Sequence, residues 1–219
     1  GIGLTAIAAL AGYFLCRANA EWYYTLMPGG MTEGRVPTAS TEELRKYLYE
    51  NETPPGDMLS VFASYLFVHN AGIGLVCFAL GFAFGLPTAL LLVQNGLMLG
   101  AFIALYAGHG LGVELGGWLA VHGTTELLAV ALCGGAGFGL ARAILFPGAH
   151  SRLASLAQAG RVAGQIALGC VLMFVIAGAL EGYARQLVVA LWARYAIGGL
   201  MLLFWAMYFL QPLPPAGVD

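Results

Sequence analysis

Six apolar runs dominate the chain, and one long polar stretch separates the first from the second. A helix that crosses a membrane needs about 20 mostly apolar residues. The runs fall at 2–16, 60–86, 88–107, 118–146, 161–182 and 187–210. Pro87 interrupts after the second run, and Pro147-Gly148 stops the fourth. The glycine-rich piece "GHGLGVELGG" reads as a short connection between the third and fourth. The tail "QPLPPAGVD" cannot continue a helix, because proline lacks the donor and clashes with the preceding turn. The pattern predicts an all-α, polytopic transmembrane bundle of about six spans. A first span at 1–17 is followed by an extracytoplasmic loop at 18–59, a five-helix core at 60–211 and a cytoplasmic tail at 212–219.

The polar stretch holds its own helix signal. In "TASTEELRKYLYEN", Ser40 followed by Glu43 is a capping box, and Leu44, Tyr47 and Leu48 give one apolar side. Its flanks are rich in tyrosine, tryptophan, proline and glycine, so a short helix at the membrane interface is expected. A docking surface for an extracytoplasmic partner is the other use of such a loop.

Composition removes the soluble alternative. Charged residues make up 9% of the chain against about 25% in soluble domains, and hydrophobic residues make up 60%. No basic stripe interleaved with aromatics suggests nucleic acid. The connection after the fourth run carries Arg142, Arg152 and Arg161 with no acid, which marks the cytoplasmic side. Alternation then places 18–59 outside and both termini in the cytoplasm, in the inner membrane. Arg185, on an outer connection, is the one discordant charge. Cys16, Cys77, Cys133 and Cys170 sit in different runs with no CxxC pair, and read as small buried hydrophobes. The chain opens without Met and without a basic leader, so an upstream region is expected to be missing.

With little hydrophobic force between helices in lipid, small residues must supply close contact. The pairs Gly81/Gly85, Gly96/Gly100, Gly135/Gly139 and Gly178/Gly182 have the required spacing and predict tight helix packing or a homo-oligomer contact. An echo between "HNAGIG...AFGL" and "HGTTEL...GFGL", a little over fifty residues apart, is of a kind that glycine-rich apolar helices generate easily, so an internal repeat is the less expected reading.

The polar groups inside the runs carry the candidate chemistry. His122 and Glu126 are four apart and share a helix face. Asn70 and Asn95 fall in the second and third runs, and Glu181 near the end of the fifth. Burying an ionised carboxylate at mid-membrane costs at least ~2.5 kcal/mol, so a mutually satisfied polar cluster in the outer half is predicted. Structural glue, an ion or proton site, and a site for a ligand or lipid headgroup all fit such a cluster. No metal or cofactor is expected: His122 and Glu126 supply two ligands where zinc usually takes three or four, and His69 is the one further candidate. No HExxH, GxSxG or phosphate-binding loop is present, so an enzyme is not expected.

The ordered segments "NGLMLGAF", "HGTTELLAVALCGGAGFGLARAILFPG", "SRLASLAQAGRVAG" and "IAGALEGY" resemble the stage II sporulation protein M family, over residues 60–185. Asn95-Gly96, His122-Gly123, Glu126, Pro147-Gly148 and Glu181 carry the likeness. The resemblance implies a non-catalytic scaffold or assembly component, in spore formers one acting at engulfment beside peptidoglycan-degrading partners. Relatives in other organisms tend to be encoded beside MoxR-type ATPases and von Willebrand A-domain proteins. The expected partners are the lipid bilayer and other membrane or cell-envelope proteins. The alternative is a transporter or channel for an ion, proton or small solute using the His/Glu site. Below Glu126 its helix has no polar side chain before Arg142, which disfavours a path through the membrane.

Overall fold

A computed structural model describes residues 1–28, 32, 34–49, 56–184 and 187–211, without the side chains of 56–66 and of His69. His69, Arg185 and the 212–219 tail therefore lie outside the described part. The described elements are all helical. They are α1 (Ile2–Ala18), α2 (Glu21–Leu26), α3 (Thr41–Tyr49), α4 (Gly56–Ala79), α5 (Leu86–Gly108), α6 (Gly112–Leu145), α7 (Arg152–Ala179) and α8 (Leu191–Phe209). Four of them (α5, α6, α7 with its terminal turn, and α8) are long and apolar enough to cross a membrane, while α1 is a shorter apolar helix. The protein is an integral membrane protein.

α6 stops before Pro147-Gly148 as the sequence suggests, but other helix breaks fall elsewhere. Pro87 does not interrupt a span; it lies in the first turn of α5, where its missing N–H costs nothing and its fixed φ suits a helix start. The chain turns earlier instead. α4 tightens into a 3-10 turn at Leu80–Phe82, and Phe84 and Gly85 take positive φ of 58° and 76°. The backbone carbonyl of Cys77 accepts a hydrogen bond from the buried Thr88 hydroxyl at 2.8 Å. α6 also begins six residues before the expected run. Most of "GHGLGVELGG" is helical, and the turn is confined to His109–Leu111. α7 likewise starts earlier, at Arg152, capped by Ser151, whose hydroxyl accepts from the Ala154 N–H at 3.2 Å.

At 34 residues, α6 is about 51 Å long, well beyond the ~30 Å hydrocarbon thickness. It is the mast of the bundle, touching α4, α5, α7 and α8. Glycine lets backbones meet there. A Cβ at Gly81 would overlap the Gly137 carbonyl, and one at Gly137 would stand 2.7 Å from the Cys77 carbonyl oxygen. α1 lies parallel to α5 in the same way: a Cβ at Gly96 would sit 2.5 Å from the Thr5 carbonyl oxygen, and one at Gly100 would overlap that of Ala9. Gly135 and Gly139, expected at such a contact, have no atom within 4 Å of a Cβ built on them. They open on a groove. Gly134 and Gly137 make the helix contacts on that stretch of α6.

The segment between α1 and α4 covers one end of the bundle, called here the cap end. The capping box forms: the Ser40 N–H donates to Glu43 Oε2 at 2.7 Å, and the Glu43 N–H to Ser40 Oγ at 3.2 Å. The Ser40 N–H and the Ser40 hydroxyl, both donating to Glu43 Oε2, hold the exposed Glu43 carboxyl below its usual range. Leu44 and Leu48 are buried with Tyr23, Met27, Leu105, Tyr106, Leu111, Leu115 and Trp118. Burial pushes the Tyr23 hydroxyl up to about 12, and that hydroxyl donates to the Arg35 carbonyl at 2.6 Å. α3 is thus packed on the cap ends of α5 and α6.

Arg194 ties the cap to α8. Its side chain is 2% exposed. Nη1 and Nη2 each donate to the Leu48 carbonyl at 3.1 Å, Nε donates to Val188 O at 2.8 Å, and the guanidinium stands 4.8 Å from the Tyr49 ring centroid.

Two outcomes follow from this packing. Gly100→Leu should destabilise the protein in detergent by ~1–3 kcal/mol, the usual cost of overpacking a closed contact, whereas Gly139→Ala should leave thermal unfolding unchanged. Arg194→Leu should cost ~3 kcal/mol, in the range for buried hydrogen bonds to a charged group. It should also expose α3 to limited proteolysis before the spans unfold.

Candidate functional site

The side chains that the sequence singles out come from three helices. His122 and Glu126 lie one turn apart on α6. Because α6 begins at Gly112, Glu126 sits about 21 Å along its axis from the cap end, close to its middle. That is deeper than the two turns suggested by a span beginning at Trp118. Asn70 occupies the matching depth on the parallel α4 and lines the same cavity as Glu126.

Glu181 arrives from the other direction. α7 runs antiparallel to α6 and ends in a π-helical turn at Leu180–Ala184, which holds Glu181. Such turns carry an extra residue and often mark functional sites. The Glu181 side chain is buried, and its Oε1 lies 3.8 Å from His122 Nε2. The His122 ring stands edge-on to Trp118 at 5.2 Å between centroids. One ligand-type atom from each of His122, Glu126 and Glu181 lies within 4.8 Å of the other two. Glu181 therefore stands as the third potential ligand that a reading of the sequence seeks at His69.

Glu126 also borders a cavity of about 230 Å³ lined by Thr5, Met27, Asn70, Asn95, Met98 and Phe102 among others. Met27 belongs to the cap, so the cavity extends from Glu126 toward the cap end. Asn95 lies on this cavity rather than in the cluster, and its amide N donates to the Leu91 carbonyl of its own helix at 2.8 Å. The Thr5 hydroxyl is buried without a hydrogen-bond partner and belongs to the same cavity wall. Toward the opposite end, α6 buries Ala129, Cys133, Ala136, Gly137, Leu140 and Ala141, none of which offers a charged or strongly polar side chain.

Several polar features went unread in the sequence. Thr125 accepts a hydrogen bond from Trp205 Nε1 at 2.9 Å, which fastens α8 to α6 beside the cluster. Arg194 stood as a lone cation inside an apolar run and was visible as such, though its partner carbonyl was not. Thr5 carried no local signal, since only the packing of α1 on α5 brings it to the cavity. Cys133 and Cys170, assigned to separate runs, meet between α6 and α7. Gln165 lies on the opposite-end groove, away from the other polar groups.

In comparisons with known proteins, the family model described as Stage II sporulation protein M matches residues 2–184, which takes in α1, the cap and α4 to α7. No curated protein and no solved structure matches.

Proposed function

The chain belongs to the stage II sporulation protein M family, and from that premise we propose that it is a non-catalytic scaffold that holds partner proteins together in the inner membrane. One observation carries this reading: beyond Glu126, away from the cap, α6 buries no charged or strongly polar side chain. From Leu127 to Ala141, α6 presents no charged side chain, and Gly137 meets the α4 backbone while Gly134 meets the Leu92 side chain of α5. A channel or transporter wants polar groups continuous across the bilayer, and this one stops at Glu126. The cap, braced by Arg194, supplies a fixed extracytoplasmic platform, and both termini belong to the cytoplasmic side where the arginines of 142–161 gather.

A second feature supports partner binding within the membrane. A groove of about 1140 Å³ runs beside α6, α7 and α8, lined by Gly135, Gly139, Ala163, Gly169, Ile166 and Trp205 among others. Small residues along a lipid-facing groove suit the close approach of a transmembrane helix. The partner in this reading is a membrane or cell-envelope protein that contributes such a helix.

The reading is tested in two ways. Proteoliposomes bearing the wild-type protein should show no proton or cation flux above empty vesicles, and flux that disappears in Glu126→Gln would replace the scaffold with a transporter. The double substitution Gly135→Leu/Gly139→Leu should leave thermal stability in place yet reduce in-membrane cross-linking from α6 to partner helices by tenfold or more. Unchanged cross-linking would remove the groove from the account.

A further inference from the structure

We propose that the cavity beside Glu126 is a binding site for a small primary ammonium ion with a compact apolar body, and that the Glu126 carboxylate is its counter-ion. This goes beyond the scaffold reading, which needs no ligand.

Every polar group on the cavity wall can accept a hydrogen bond. α1 contributes Thr5, α4 Asn70, α5 Asn95 and α6 Glu126. Among the described residues, Glu126 is the one charged group on the wall, and no lysine, arginine or histidine lines it. Asn95 commits its amide nitrogen to the Leu91 carbonyl at 2.8 Å, which leaves Oδ1 as its open acceptor. The Thr5 hydroxyl is buried and makes no hydrogen bond. Two basic groups belong to the surroundings rather than the wall. The Arg35 guanidinium stands 5.6 Å from the Phe102 ring centroid, and His122 lies 3.8 Å from Glu181. A carboxylate, amides and a hydroxyl around one space suit a cation that donates several hydrogen bonds. A primary ammonium donates three.

The rest of the wall decides what else the ligand carries. Met27, Ile73, Met98, Leu99 and Val130 make it apolar around the polar groups. A dry cavity of about 150 Å³ holds one benzene, and this one measures about 230 Å³. It therefore has room for a ring or short chain beside the ammonium, roughly seven to nine non-hydrogen atoms in all. A bare metal ion would leave most of that volume as water against apolar side chains. A mostly apolar wall with a few placed polar groups is the usual make-up of a small-molecule site.

Depth favours an ion pair. An ionised carboxylate inside the membrane is costly alone, and an ammonium beside Glu126 makes the pair net neutral. Glue between helices gives no reason for a cavity at this carboxylate. Beyond Glu126, α6 buries no charged or strongly polar side chain, so the ligand is held rather than passed across. A primary ammonium can come from two sources, a free amine or the ethanolamine headgroup of a phospholipid. Its chemistry at Glu126 is the same for both.

The full chain in nanodiscs of phosphatidylcholine, probed with tritiated benzylamine by scintillation proximity, tests this directly. Saturable binding of one benzylamine per chain is expected. Unlabelled benzylamine should displace it at least about tenfold better than benzyl alcohol, which has the same shape without the charge. Glu126→Gln should weaken binding at least about tenfold and Thr5→Val by a smaller factor, with helicity by circular dichroism unchanged. Absence of saturable binding overturns the proposal and leaves the cavity to water. Benzyl alcohol competing as well as benzylamine overturns it too, as does wild-type affinity in Glu126→Gln. Should that variant fail to fold, the comparison of amine with alcohol on the wild type still decides. Discs that also contain phosphatidylethanolamine separate the two sources. A lower apparent benzylamine affinity there assigns the site to the headgroup, and an equal affinity assigns it to a free amine; both keep an ammonium at Glu126.

Discussion

Everything in this bundle depends on how closely α6 can be approached. In lipid, two apolar helices gain little by leaving the surrounding chains for each other, and what holds them is contact short enough for dispersion to accumulate. Glycine at 81 and 137 removes the side chains that would keep α4 from α6, while glycine at 96 and 100 does so between α1 and α5. Once α4 lies against α6 with this register, Asn70 falls beside Glu126 without any further requirement. The polar site is thus a by-product of backbone proximity before it is anything else. Antiparallel packing of α7 adds Glu181, and the π turn at its end sets the angle at which that carboxylate enters.

Much of the architecture is legible because hydrocarbon imposes a simple rule: a backbone that crosses it must bond to itself. Long apolar runs therefore give helices, and the capping box at Ser40 and Glu43 gives α3 at the right residues. Local geometry decides the ends, and there the reading is weaker. Pro87 looks like a stop when proline is considered alone, yet it serves as a start because Gly85 has already taken the left-handed conformation. The glycines of 108–117 look like a loop, but all except Gly110 are absorbed by α5 and α6, since a helix in a membrane tolerates glycine wherever a neighbour comes close. Gly116 and Gly117 illustrate this, with Tyr195 and Leu191 of α8 against them.

The candidate site divides along the same line. His122 and Glu126 on one face of α6 follow from their spacing, and Asn70 and Glu181 from depth. What sequence could not supply is partnership across helices: the cavity wall shared by Thr5 and Asn95, the bond from Trp205 to Thr125, and the guanidinium of Arg194 on Leu48. Each joins residues far apart in the chain, and no periodicity encodes which helix faces which. The family model's reach back to residue 2 fits this division, because α1 and the cap contribute Thr5 and Met27 to the cavity wall.

The bond from Arg194 to the Leu48 carbonyl spans 146 positions of sequence, and this has a consequence for the order in which the molecule is made. α3 leaves the ribosome long before α8 does, so its terminal carbonyl has no guanidinium to receive while the intervening helices are inserted. The cap is therefore provisional throughout synthesis and is locked only when the last helix enters the membrane. Assembly is timed from the C-terminal end: a chain halted before α8 would lack the guanidinium that fixes the end of α3 and would present an unfinished cap.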